Sequence, residues 1–224
     1  MTRGISIAID GPAGAGKSTV SKMLAKTAGF ELLDTGAMYR AYTWAWIQDQ
    51  RENPLATLES SLAKHVIEVV YVNGSTVVRC DGTDISSAIR GTEVTALVSE
   101  VAAQTRVREK AVSLQRELVT NALAAGIGVV LEGRDIGTTV LPDATFKFFL
   151  TADAHARAQR RAAEIDADSE QILEELEARD RADSQREASP LRAADDAIHI
   201  DATHMSPQEV VDLMMETIDG RASI

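Results

Sequence analysis

The residues with the most chemical content are Gly11-Pro12-Ala13-Gly14-Ala15-Gly16-Lys17-Ser18, followed by Thr19. Their spacing is G-x-x-x-x-G-K-S, in which a glycine-rich turn directs several backbone N–H groups to one point at a helix N-terminus, and a lysine adds formal positive charge there. That combination suits a polyphosphate. Glycines 11, 14 and 16 leave room for an anion to touch the backbone, and the Ser18 hydroxyl is of the type that ligates magnesium.

Such a turn needs a strand before it and a helix after it. Ile5-Ser6-Ile7-Ala8-Ile9 is an apolar run that predicts a buried strand, and the apolar spacing from Thr19 to Lys26 predicts a helix. Phe30 to Asp34 predicts a second strand, short and apolar as in a parallel sheet covered on both faces. A helix from about Ala37 to Asp49 follows, stopped by Arg51-Glu52-Asn53-Pro54; its Tyr39, Tyr42, Trp44 and Trp46 are mostly core, and Arg40 is the member placed to reach a ligand.

The chain then changes character. Val66 to Val72 and Ser75 to Cys80 flank Asn73-Gly74, a pair suited to the positive-φ positions of a type I′ hairpin turn, and Thr83-Asp84-Ile85 predicts a third short strand. No long helix separates these strands, so they form a small antiparallel lobe inserted into an α/β domain. Helical spacing returns at Glu93 to Ala103 and at Arg106 to Ala124, the latter capped by Gly126. The strand Ile127 to Leu131 delivers Glu132-Gly133-Arg134-Asp135-Ile136-Gly137 at its C-terminal end, where ligands sit in open α/β sheets. Thr145 to Leu150 and Ala197 to Asp201 predict the remaining strands, and Ser206 with Pro207 begins a final helix as N-cap and first residue.

At 224 residues, with 45% hydrophobic and 25% charged, the chain fits one sizeable core plus a small lobe. It holds no apolar run long enough for a membrane helix, and its short N-terminal lead into the first strand leaves no room for a signal peptide, so the expected location is the cytoplasm. The single cysteine, Cys80, excludes an internal disulfide and predicts a small buried side chain. His65, His155, His199 and His204 lack metal-ligand spacing, and none is expected in a site. A net charge of −11 argues against nucleic acid or an anionic membrane as partner. Positive charge is instead local: Arg157, Arg160, Arg161, Arg179, Arg181, Arg186 and Arg192 fall in one quarter of the chain that holds no lysine. Arginine grips phosphate oxygens bidentately, and although carboxylates are interleaved among these residues, the phosphate loop favours a phosphate-binding reading.

With these pieces in order, the chain resembles the nucleoside monophosphate kinases of the P-loop class, and among them the bacterial cytidylate kinases. The resemblance covers nearly the whole chain. It rests on Ile9 to Ser18, Leu32-Leu33-Asp34-Thr35-Gly36-Ala37-Met38-Tyr39-Arg40, Asp84-Ile85-Ser86 with Ile89-Arg90, Arg106-Val107-Arg108, Glu132 to Thr138, and the Arg179-Asp180-x-x-Asp183-x-x-Arg186 run. It implies an α/β fold with a five-stranded parallel sheet flanked by helices. The core would comprise residues 1–36, 105–154 and 191–224, the acceptor-binding domain residues 37–104 with a β insertion at about 65–90, and a mobile helical lid residues 155–190. It implies ATP with Mg2+ as phosphate donor, on Gly11 to Thr19 with the metal at Ser18, and CMP or dCMP as acceptor. The implied acceptor contacts are Thr35, Arg40, Ser99, Arg108, Arg134, Asp135, Arg179, Asp183 and Arg186, while Arg157, Arg160 and Arg161 would lie on the lid near the ATP phosphates. Thr35 stands where these kinases often carry serine, and Ala182 where a charge is common.

Phosphoryl transfer of this kind needs positioning and cationic stabilisation, and an anionic phosphate acceptor needs no general base. Lys17 and the loop amides would hold the β- and γ-phosphates, Asp135 or Glu132 would assist the metal through water, and the arginines, Arg186 included, would close over the transferring group and exclude water. Asp135 and Arg108 are the chemical types that read a cytosine edge. A monomer is expected. Three rival readings differ in class: a P-loop kinase for a hydroxyl acceptor such as shikimate or gluconate, a nucleotide switch, and a nucleic-acid-stimulated ATPase. The first has no need of the β lobe, the second lacks its Asn-Lys-x-Asp and Asp-x-x-Gly motifs here, and the net charge disfavours the third.

Overall fold

The computed structural model describes residues 4–72 and 75–222. Every residue of β1 (Ser6–Asp10) is buried, which its apolar sequence requires. After the glycine-rich turn comes α1 (Lys17–Ala28), then β2 (Glu31–Asp34). The helix α2 (Thr35–Glu52) begins earlier and ends later than its apolar spacing predicts, because the Asp34 side chain accepts from the Ala37 amide and so caps the first turn. A short helix absent from the sequence reading, α3 (Leu58–Lys64), is capped by the Thr57 hydroxyl, which accepts from the Ser60 amide.

The inserted lobe is antiparallel as expected. The strands β3 (Ile67–Val72) and β4 (Ser75–Cys80) pair with Val69 opposite Val78 and Ile67 opposite Cys80, and β5 (Thr83–Asp84) extends the sheet along β4. The Asn73-Gly74 turn lies outside the described residues. The helices α4 (Thr92–Ala103) and α5 (Thr105–Ala124) follow, then β6 (Val129–Glu132), a π-helical turn at Ile136–Val140, and β7 (Phe146–Thr151). The chain continues through α6 (Ala154–Ile165), α7 (Ser169–Ser184), β8 (Ile198–Asp201) and α8 (Pro207–Ala222). At the start of α8, Ser206 and Glu209 exchange a reciprocal capping box.

The main sheet has five strands in the order β2-β6-β1-β7-β8, with β1 parallel to both β6 and β7 and β7 parallel to β8. The chain forms two compact units, one made of residues up to Leu32 and from Val119 onward, the other of Leu33–Leu118. In the first, Ile7, Ile9, Leu131, Phe148 and Leu150 of the sheet are fully buried with Leu24 of α1 and Met214 of α8. A second apolar cluster joins Ala13 of the glycine-rich turn to Ala158 and Ala162 of α6 and Ile172 and Leu176 of α7. In the other unit, Met38, Tyr42, Val69, Val78, Ile89 and Val101 share one core, with Trp44 and Trp46 partly buried against it. Among the described residues no helix is long and apolar enough to cross a membrane.

Candidate active site

The turn between β1 and α1 is shaped by glycines in left-handed or otherwise positive-φ conformations. Gly11 has φ 148°, and a Cβ there would lie 2.0 Å from the Leu150 carbonyl oxygen on the neighbouring strand. Gly14 and Gly16 also have positive φ, 73° and 88°. Gly16 sits at the N-cap of α1 and brings no side chain to it, so the amides of the first helical turn are left to an outside acceptor.

Four charged or polar side chains gather beneath this turn. Lys17 is 6% exposed and its Nζ donates to the Pro12 carbonyl at 2.7 Å. Burial pushes its ammonium group well below the usual lysine range; Arg134 and Arg179 push the same way, and Glu132 and Asp10 oppose them. Asp10, at the end of β1, accepts from the amides of Ile136 at 2.8 Å and Gly137 at 2.7 Å. Its carboxyl is pushed up to about 6 by burial, against the pull of those two amides. The π-helical turn is what presents both amides at once. Ser18 Oγ donates to Glu132 Oε2 at 2.8 Å, so a hydroxyl and a carboxylate stand together, both hard oxygen donors of the kind magnesium takes. Asp135 is buried two residues beyond Arg134's neighbour Gly133, at the N-terminal end of the π turn.

The arginines of the first unit divide by partner. Asp183 is buried between two of them: Arg134 Nε donates to its Oδ2 at 2.8 Å, and Arg186 Nη2 lies 3.7 Å from its Oδ1. Arg179 acts electrostatically on Lys17. Arg157 and Arg160, expected over the ATP phosphates, have partners within the chain. Arg157 is buried; it donates to the Ala13 carbonyl at 2.8 Å, to Asp180 at 2.6 Å and to the Ala152 carbonyl at 3.0 Å. Arg160 donates to the carbonyls of Ala202 and Thr203 after β8.

Four expected residues lie in the other unit. Thr35 is the buried first residue of α2. Arg40 donates to the Ile89 carbonyl at 3.3 Å and to Thr95 Oγ1 at 2.9 Å. Ser99 is half-buried on α4. Arg108 is buried with its guanidinium 5.6 Å from the Tyr39 ring centre, and it donates to the Ala102 carbonyl at 3.3 Å.

Asp180 is the residue that sequence reasoning missed. Its Oδ1 accepts from the Ala13 amide at 3.0 Å while its Oδ2 holds Arg157, so one carboxylate and one guanidinium grip the peptide groups on both sides of Ala13. Its place in the Arg179-Asp180-x-x-Asp183-x-x-Arg186 run does not by itself distinguish a clamp from a surface charge.

Similarity to known proteins agrees with this geometry. The family described as cytidylate kinase matches residues 7–220. A cytidylate kinase from Bacillus subtilis is 44% identical over 231 aligned positions, covering 99% of this chain and all of that one. One from Bacillus pumilus is 46% identical over 226, covering 98% of each. Among solved structures, a sugar kinase from Janibacter superposes with a TM-score of 0.54 at 13% identity, over 96% of this chain and 95% of that one. A Thermus thermophilus protein, TT1252, does so with 0.51 at 20% identity, over 98% of each; these two establish the fold alone. With a glycine-rich loop over a buried lysine at the end of β1, and relatives of this identity along its whole length, the chain belongs to the cytidylate kinase family.

Proposed function

We propose that the chain transfers the γ-phosphate of ATP to CMP, and also to dCMP, giving ADP and the diphosphate. One observation carries the reading. Lys17 is a buried cation whose charged form is opposed by burial and by Arg134 and Arg179. Like charges around a water-poor point repel one another, and the phosphates of a bound polyanion add an attraction to each of them that outweighs this repulsion. The donor triphosphate lies on Gly11, Pro12, Ala13, Gly14, Ala15, Gly16, Lys17, Ser18 and Thr19.

Catalysis here is charge stabilisation. Lys17 holds the β- and γ-phosphate oxygens, and Arg161, Arg179 and Arg186 neutralise charge that spreads over the transferring group. Asp183 orients Arg134 and Arg186, an arrangement that keeps both forks pointed in one direction. Arg157 acts through the loop rather than on the phosphate. Mg2+, when bound, is held at Ser18 with Glu132 beside it and supplies further neutralisation of the phosphates. The acceptor assignments are Arg134, Asp135, Arg179, Asp183 and Arg186 from the first unit and Thr35, Arg40, Ser99 and Arg108 from the second. In this reading residues 1–36, 105–154 and 191–224 form the core, residues 37–104 bind the acceptor, α6 and α7 serve as the lid, and the protein works in the cytoplasm as a monomer, without nucleic acid or membrane.

A carboxylate that meets the cytosine amine would face a carbonyl in uracil, at a cost of a few kcal/mol. Initial rates of ADP release with ATP, Mg2+ and each nucleoside monophosphate in turn test the proposal. CMP and dCMP are expected to support transfer and UMP to be poor. Equal efficiency with UMP would defeat the base assignment, and no transfer to any pyrimidine nucleotide would defeat the function.

A further inference from the structure

Away from the phosphate loop, in the unit that carries the β lobe, three potential ligands of different chemistry converge. His65 follows α3, while Cys80 and Asp81 end β4, and His65 nitrogen, Cys80 sulfur and an Asp81 carboxylate oxygen all lie within 4.8 Å of one another. His65 Nδ1 is 2.5 Å from Asp81 Oδ2, and Cys80 Sγ is 3.7 Å from the same oxygen. The other ring nitrogen is occupied from behind: His65 Nε2 lies 3.1 Å from both oxygens of the buried Asp49. Asp49 is itself fixed by Ser61 Oγ at 2.5 Å and by Lys64.

A carboxylate on the far nitrogen of a histidine is the arrangement that sets the tautomer and aim of a metal-bound imidazole. We infer that His65 Nδ1, Cys80 Sγ and Asp81 Oδ form a second cation site, for a thiolate-seeking divalent ion of the zinc type, with water as fourth ligand. One nitrogen, one sulfur and one oxygen select such an ion over magnesium, which prefers oxygen alone. Binding replaces the Cys80 S–H proton and any proton on Nδ1, both released to solvent, while Nε2–H stays on Asp49. Asp81 is about half-exposed, so the ion has a way in, and its place bridges the two ends of the β3–β4 hairpin.

The chain contains a single cysteine, so any thiolate-to-metal absorption reports Cys80 alone. Untagged full-length protein is titrated with Co2+ under anaerobic conditions and then with Zn2+. The expected result is one equivalent of near-ultraviolet charge-transfer absorption, bleached by Zn2+, absent in Cys80→Ser, and weakened about tenfold in apparent affinity in Asp49→Asn. Zn2+ should also raise the thermal midpoint of the native chain and leave that of Cys80→Ser unmoved. Absence of the charge-transfer band in the native protein overturns the site, as does the same band in Cys80→Ser. Should Cys80→Ser not fold, the native titration decides alone, because no other sulfur thiolate exists in the chain.

Discussion

The phosphate loop and the cluster around His65 are both polar and largely buried, and they are built in opposite ways. In the loop the backbone does the shaping: three positive-φ glycines and the open amides of α1 make the site, and Gly11 is pinned by the Leu150 carbonyl. In the His65 cluster side chains from α2, the end of α3 and the end of β4 shape one another. The charges differ too: at the loop Lys17 is buried among Arg134, Arg179, Glu132 and Asp10, whereas in the cluster Asp49 and Asp81 face His65 and Lys64 directly. The difference teaches where stability has been exchanged for function. A site that must receive an anion keeps a lysine charged at a cost in burial; a site that ties elements together pairs its charges at close range.

That contrast breaks first at Lys17. Lys17→Met should lower turnover on the order of a thousandfold, because a cation on the transferring phosphate is lost. It should leave the urea midpoint unchanged or raise it, since the buried ammonium is opposed by its surroundings. Steady-state ADP release and urea unfolding on the same preparation check both halves; a large loss of stability would mean that the lysine is a structural group.

The next test is pH. The Asp10 carboxyl is raised from 3.8 to about 6 in the folded chain. Below pH 4 it is protonated in both states. Between there and 6 the folded chain holds a proton that the unfolded chain has lost, so stability falls as pH rises through that window. The drop amounts to about 3 kcal/mol for a shift of this size. Asp10→Asn has no such proton to lose, so the stability gap between the two proteins should move by about 3 kcal/mol in favour of asparagine from about pH 3 to pH 7. Parallel profiles by urea unfolding would show an unperturbed carboxyl.

In the cluster, by contrast, a side-chain change should reach stability and spare chemistry. Asp49→Asn leaves Ser61, Lys64 and His65 facing an uncharged amide, and about 2 kcal/mol of stability should be lost, with turnover at saturating substrates within twofold of the native value. Urea unfolding followed by initial rates distinguishes the two effects.

The same contrast explains what could be read from sequence. The loop, its strand and its helix occupy about twenty consecutive residues, so pattern alone placed them, as it did the capping box at Ser206 and, through Asn73-Gly74, the pairing of β3 with β4. The helix α3 escaped because Leu58 and Leu62 are its only apolar anchors and its cap, Thr57, reads as an ordinary loop residue. The π turn escaped because it is held by Asp10, far away in sequence, accepting from two of its amides. His65 and Asp49 were legible only as residue types: their meeting depends on α2 and the β lobe folding against one core. The partners of Arg157 and Arg160 within the chain were not legible, since carbonyls of Ala13, Ala152, Ala202 and Thr203 carry no signal in the sequence.

Asp180 sharpens the comparison at its boundary, for it is a side chain laid on the backbone-built loop. Its carboxylate satisfies the Ala13 amide and Arg157, and Arg157 in turn holds the Ala13 carbonyl, so the pair fixes both peptide groups at the third residue of the motif. The apolar contacts of Ala13 with α6 and α7 hold the same point from below. Asp180→Asn keeps the shape and an acceptor for Ala13 but removes the charge that Arg157 pairs with. The loop then samples geometries in which its amides no longer converge, and only interactions with the donor nucleotide pass through those amides. KM for ATP should therefore rise about tenfold, the effect of weakening one charge-assisted hydrogen bond, while KM for CMP stays within twofold. Initial rates over a grid of both substrates separate the outcomes: equal increases in both constants would mean that Asp180 supports the fold at large, and no change in either would mean that the glycines alone define the loop.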